Sequence, residues 1–306
     1  MSVLRTLLSP LAQDPAYHAF ADGRTLLGIP NFWNVVSSVP FFIVGVWGLV
    51  FLARNPGTAT HLRGVWTVFF IGILATMFGS GYYHLAPDNA SLGWDRLSMV
   101  IGFMSLFALV IGEYLSTEWA NRLLLPLLLI GVGSVYYWLS TEAQGAGDLR
   151  PYALVQFLPM FLVPLIVLLR RGRSDLGPWF GLMIVFYAAA KIFEFYDASV
   201  FAAGEVMSGH AIKHVLAALG AACLLSGLHL GHRTATGVTR AYEQHIPLRQ
   251  PLPPLKIESA PENPFEHRAV NSPLPQKDAL ASSERQESGR RRTRQVCRCA
   301  KEHGSS

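Results

Sequence analysis

Leu62–His84 reads LRGVWTVFFIGILATMFGSGYYH, and Arg63 is the only formally charged residue in it. A bilayer's hydrocarbon core is about 30 Å thick and takes about 20 apolar residues to cross as a helix. Backbone polar groups must be satisfied internally there, which a helix achieves. The stretch therefore reads as a membrane-spanning helix, and it ends on two polar residues, Ser80 and His84. Working outward, six further stretches meet the same requirement: Phe32–Leu52, Leu92–Leu115, Ala120–Leu139, Pro151–Leu169, Pro178–Ala198 and Ser208–Leu230. The links between them are short and carry turn residues, such as Asn55-Pro56-Gly57 and Pro87-Asp88-Asn89. The expected fold is an all-α integral membrane protein, a seven-transmembrane helix bundle.

Composition agrees. Of 306 residues, 51% are hydrophobic and 15% charged, against about 25% charged in soluble domains; the mean hydropathy is +0.32. From Arg233 onward there are 13 Lys and Arg against 8 Asp and Glu, which accounts for the whole net charge of +5. The basic balance therefore belongs to the tail, and no nucleic-acid partner is expected. Three domains are expected: an N-terminal extracytoplasmic segment (1–31), a seven-transmembrane domain (32–232) and a disordered basic cytoplasmic tail (233–306). Pro247–Ser306 is rich in Pro, Ser, Arg and Glu and is expected to be disordered. Arg290, Arg291, Arg292 and Arg294 read as solvated, with anionic headgroups as the alternative contact. Met1–Arg24 holds Asp14, His18 and Asp22 and no long apolar run, so no cleaved signal is expected. Cys223 lies in an apolar run, and Cys297 and Cys299 lie in the tail, which is not a disulfide framework. The sequence carries no reading of the oligomeric state.

Loop charge sets the orientation. Arg54, Arg63, Arg122, Arg170, Arg171, Arg173 and the tail fall on one side, expected to be cytoplasmic. Asp88, Glu142, Asp148, Arg150 and Glu205 fall on the other. The N-terminus is then outside and the C-terminus inside, in what reads as a bacterial inner membrane.

Ionisable groups inside a span are costly and usually functional. Ser80 and His84 close the second span, and Asp95 and Arg96 open the third. Lys191, Glu194 and Asp197 lie in the sixth; His210, Lys213 and His214 open the seventh. The alternation of the spans brings all of them to one depth, toward the extracytoplasmic side. His210 and His214 are four apart and share a helical face, so both imidazoles can grip one ion, with His84 the third ligand. Three histidines with an open fourth position suit a catalytic zinc ion, although imidazole also takes iron, copper or nickel. Tyr83, Arg96, Lys191, Glu194, Asp197 and Lys213 are read as a supporting polar network around the ligands.

Ser80-Gly-Tyr-Tyr-His84, Trp94-Asp95-Arg96 and His210-Ala-Ile-Lys-His214 together resemble the alkaline ceramidase family, within the CREST superfamily of membrane hydrolases and receptors. Pro30-Asn-Phe-Trp-Asn34 and Ser208-Gly-His-Ala-Ile-Lys-His214 look like its bacterial members, and the resemblance covers about residues 17–232. It implies one zinc ion on His84, His210 and His214 and hydrolysis of the amide bond of a ceramide-like membrane lipid. The products would be a free fatty acid and a sphingoid or other lipid amine. In the chemistry expected, Asp95 is the general base, and Ser80 stabilises the oxyanion or orients the metal-bound water. Eukaryotic members carry an acidic N-terminal stretch that binds calcium, with Glu before Phe-Trp-Asn. Here Asn31 stands there and Asp22 is the only nearby acid, so the calcium site is not carried over. Ser38 stands where many members have Asn, so eukaryote-like substrate choice is not carried over either. Two alternatives stay open at this point. One is a hemolysin-III-like or adiponectin-receptor-like zinc protein, usually drawn with its N-terminus inside. The other is a transporter or receptor with a polar proton relay.

Overall fold

The computed structural model describes residues 9–245, with side chains through 234. The tail from Ile246 onward, with Cys297, Cys299 and the arginine run, lies outside the described residues. Nine α-helices follow a short 3₁₀ turn at Pro15–His18: α1 (Phe32–Val36), α2 (Val39–Arg54), α3 (Arg63–Leu85), α4 (Asn89–Tyr114), α5 (Thr117–Ala143), α6 (Arg150–Leu169), α7 (Gly177–Phe195), α8 (Asp197–Gly204) and α9 (Gly209–His245). Counting α1 with α2 and leaving out α8, seven helical segments are long and apolar enough to cross a membrane. The chain is an all-α, seven-transmembrane bundle.

The helices are not equivalent. About half of the apolar windows of α3, α4 and α9 is buried against protein, 50%, 56% and 50%. In α5, α6 and α7 the shares are 22%, 22% and 17%. The first group forms the centre and the second a screen whose apolar side chains face lipid. Close approach explains why the central pair packs so tightly. A Cβ on Gly72 of α3 would lie 2.6 Å from the backbone nitrogen of Gly102 in α4. Small residues at such crossings let backbones touch, which is how helices gain dispersion energy in lipid. Two apolar clusters fill the interior. One is built on Phe51, Trp66, Phe70, Leu109, Tyr114, Phe180 and Leu224. The other, on Tyr83, Leu92, Met104, Trp138 and Tyr152, lies at the end of the bundle that holds His84.

Helix ends depart from the hydropathy reading where side chains cap them. α4 begins at Asn89, three residues ahead of the expected Leu92. Asp88 there accepts from the Ser91 backbone N–H at 2.6 Å, and Ser91 Oγ accepts from the Asp88 N–H at 3.0 Å, a reciprocal cap. The sixth span stops at Phe195, short of the expected Ala198. Asp197 therefore lies outside it, in the first turn of α8. Its carboxylate accepts the backbone N–H of His210 at 2.7 Å and of Ala21 at 3.2 Å. It ties the break between α7 and α8 to the start of α9. The last helix continues to His245, beyond the expected boundary at 232. Thr234–His245 contains no proline or second glycine-rich break, and the next proline is Pro247.

Residues 9–31 cross the same end of the bundle as a strap. Leu149 N–H donates to Leu11 O at 2.8 Å, and Leu11 N–H to Asp148 at 3.3 Å. At the other end, Arg24 donates to the carbonyls of Glu205 and Val206 at 3.0 and 2.8 Å. Arg24 also pairs with buried Asp22 at 2.8 Å, and the hydrogen bonds from its guanidinium hold that carboxyl below the usual carboxylate range. Of the two acids in this stretch, Asp22 is thus committed to an arginine, while Asp14 caps its own turn.

Candidate metal centre

His84 is the penultimate residue of α3, and His210 and His214 occupy successive turns at the start of α9. All three rings are buried, at 0%, 7% and 6% exposure. Their centroids form a triangle with every side 5.0 Å. One nitrogen from each lies within 4.8 Å of the other two, the spread that a single ion can draw together.

The hydrogen bonding of the rings separates a ligand set from packed histidines. Neither nitrogen of His84 has a partner, nor does Nε2 of His210. An unsatisfied buried polar atom costs about 1–3 kcal/mol, so these three carry a standing penalty. A bound cation would relieve it at one nitrogen of His84 and at Nε2 of His210. His214 differs: its Nδ1 meets Ser37 Oγ at 2.9 Å, which leaves Nε2 toward the centre. This is the arrangement by which an outer partner fixes a ligand's tautomer and ring angle. Phe20 of the strap covers the triangle from outside, with ring centroids 4.7 Å from His84 and 4.8 Å from His210. Nitrogen donors, burial and unpaired lone pairs together fit a zinc-like ion.

Beside the triangle lies a cavity of about 500 Å³, within the range typical of ligand sites. His214, Ser80, Asp95, Arg96, Lys191, Glu194 and Lys213 all contribute to its wall. Four helices therefore do deliver their polar groups to one chamber. The rest of the lining is apolar, including Phe41, Phe69, Ile73, Phe103 and Leu106.

Each expected site residue now has a position. Ser80 is buried one turn before His84, with its hydroxyl 3.1 Å from that of Ser38. Asp95 is buried and forms part of the cavity wall. Tyr83 packs its ring 5.0 Å from that of His84 and joins its hydroxyl to His18 Nδ1 at 2.9 Å. Glu194 bridges Lys191 and Lys213, the latter at 2.7 Å, so these three form an ion triad on the wall. Arg96 turns away from the imidazoles toward Gln13 and a set of aromatic rings. Asp197 holds the backbone of His210 and takes no part in the cavity wall.

Several contributors were not singled out from sequence. Asn34 is fully buried and binds Asp22 O through Nδ2 at 3.2 Å. Its own carbonyl accepts from Ser37 and Ser38 at 3.1 and 3.3 Å. Asn31 adopts φ +47°, a conformation Asn tolerates better than most residues, and donates to His84 O at 2.8 Å. The Pro-Asn-Phe-Trp-Asn string thus knots the strap, the first span and the ligand helices. Polar residues at 34, 37 and 38 recur at helical spacing inside an apolar run, the same signal that exposed the histidines.

Ser37→Ala is expected to leave the fold intact and to weaken zinc binding by roughly 10–100-fold, the usual effect of losing an outer partner. Competition against a metal-binding dye measures it; an unchanged affinity would remove Ser37 from the centre.

No family model matches the chain, and no curated protein sequence matches it. What the fold and site define is a class: a seven-span membrane protein with a buried three-histidine site that could hold a metal ion.

Proposed function

We propose that the chain is a zinc-dependent membrane hydrolase of the alkaline ceramidase kind. It cleaves the amide bond of a ceramide-like lipid into a free fatty acid and a sphingoid or other lipid amine, at the extracytoplasmic side of the membrane. The observation that carries this reading is the meeting of three buried imidazoles, with unpaired nitrogens, and a cavity whose wall holds a carboxylate and a hydroxyl among apolar groups. His84, His210 and His214 would hold the ion. When bound, zinc supplies a Lewis acid that lowers the pKa of water toward about 7.

The residues divide the remaining work. Asp95 takes the proton of the attacking water and returns it to the leaving nitrogen. As the carbonyl carbon gains its bond to oxygen and loses its bond to nitrogen, charge gathers on the carbonyl oxygen. Ser80 donates a hydrogen bond to that charge when Ser38 turns its own proton from Asn34 O to the Ser80 oxygen. The apolar wall takes the acyl chain and excludes bulk water, which strengthens each of these interactions.

Purified full-length protein in zinc-containing vesicles is expected to release fatty acid and amine in equal amounts from N-acylsphingosine or another N-acyl lipid. Treatment with a zinc chelator should stop the release, and returning zinc should restore it. A folded, zinc-loaded protein that releases fatty acid from no N-acyl lipid would sink the reading.

A further inference from the structure

Arg96 has no ion-pair partner among the described residues, and the neighbouring Asp95 acts on its charge only at longer range. The residue is 6% exposed. Nη2 donates to the neutral side-chain oxygen of Gln13 at 2.6 Å. Nη1 is buried with no partner at all. The guanidinium lies over the rings of Trp138 and Tyr152, with its carbon 4.1 and 4.6 Å from their centroids. Aromatic faces orient a cation and offset part of its desolvation, but they cannot supply the in-plane acceptors its N–H groups require.

The surroundings add to the imbalance. Lys191 and Lys213 share the single carboxylate of Glu194. Asp95 is reserved as the base. Asp14, at the rim, is exposed and caps its own turn through Ala16 N–H at 2.9 Å. A buried, unpaired cation is strongly unfavourable, and its persistence beside a cavity points to a partner that arrives with the ligand.

We infer that Arg96 is the receptor for an anionic group on the polar end of the substrate, and that this group is a carboxylate. The substrate class is then an N-acylated amino acid or a lipid built on one, an N-acyl lipid whose amine part carries the carboxylate that a ceramide lacks. A carboxylate places two oxygens in one plane, matching the fork of a guanidinium. Counting Asp95 with Glu194, two carboxylates on the wall face the three cations Arg96, Lys191 and Lys213, and one negative charge balances the remainder. The ligand's carboxylate would replace the Gln13 oxygen at Nη2 and complete the pair at Nη1, so the strap that carries Gln13 shifts as the ligand seats. This assignment rests on the hydrolase reading for turnover, though not for binding.

The test uses the full-length, zinc-loaded protein and two probes. One is the ketone analogue of N-lauroylglycine in which CH₂ replaces the amide NH; the other is the same molecule with CH₂OH in place of the carboxyl. Wild type is expected to bind the carboxylate probe on the order of 10–100-fold more tightly, the difference that hydrogen bonds to a charged group commonly make. In Arg96→Gln the ratio should collapse to near unity, and Arg96→Lys should recover part of it. Equal binding of both probes by wild type overturns the inference even if the variants fail to fold, as does a full preference in Arg96→Gln. Hydrolysis of N-lauroylglycine and N-lauroylethanolamine is then compared. Carboxylate binding with neither amide cleaved keeps the anion site and sinks the hydrolase reading. Faster cleavage of the ethanolamine amide keeps the hydrolase and sinks the anion site.

Discussion

Replacing His84, His210 or His214 with Ala is expected to empty the metal centre. Wild type should carry about one zinc per chain, and each variant close to none after mild dialysis. The expectation follows from counting donors. Three nitrogens converge and no Cys, Asp or Glu among the described residues joins them, so losing one leaves two protein ligands. Loss of an outer partner already costs about 10–100-fold in affinity, and loss of a direct ligand costs more. Hydrolysis should fall with the metal content. His84→Ala also empties space in a site with no exposure, so a destabilised fold could mimic metal loss. His210→Gln and His214→Gln keep most of the volume and separate the two effects. Elemental analysis of detergent-purified protein, alongside its thermal midpoint, is the measurement. Full zinc content in all three single variants would show that the ion, if any, is held elsewhere.

How much of this was legible before the coordinates depends on what kind of contact each feature needs. The seven spans were legible because a bilayer imposes one requirement, an apolar run of fixed length, that a single segment meets alone. The histidine set was legible for the complementary reason: an imidazole in such a run has few reasons to be there. Ser37, and the contact of Ser38 with Ser80, are not legible because a hydroxyl costs far less than a charge in a span and can bond to its own helix, as both do with Asn34 O. The strap was not legible at all. Gln13 meets Arg96 across 83 positions, and Leu11 meets Asp148 across 137; no local pattern encodes such pairings. Asp197 was placed in a span because Phe195 and Tyr196 before it are apolar enough to continue one. Its carboxylate instead holds the His210 N–H, 13 residues on, from the first turn of α8.

The second large effect is expected at Asp95. Asp95→Asn keeps the size and shape of the side chain and removes its ability to take a proton. Zinc content and thermal stability should stay near wild type, because Asp95 is not among the converging donors and forms part of the cavity wall. Turnover should drop by about 10²–10⁴-fold, the usual range for losing a positioned acid–base group. The loss should fall on kcat, since the carboxylate acts on the proton in flight and contributes little to holding the acyl chain. This pairing of kept metal with lost chemistry discriminates among the readings of the fold. In a protein that uses zinc only to brace its helices, Asp95→Asn would be silent in every assay. In a proton-relay transporter it would stop transport, and wild type would have no amide hydrolysis to lose. In a hydrolase it severs the step between attack of water and departure of the amine. The protein should then bind substrate in its cavity without cutting it, and the intact amide lipid should accumulate in membranes that carry the variant.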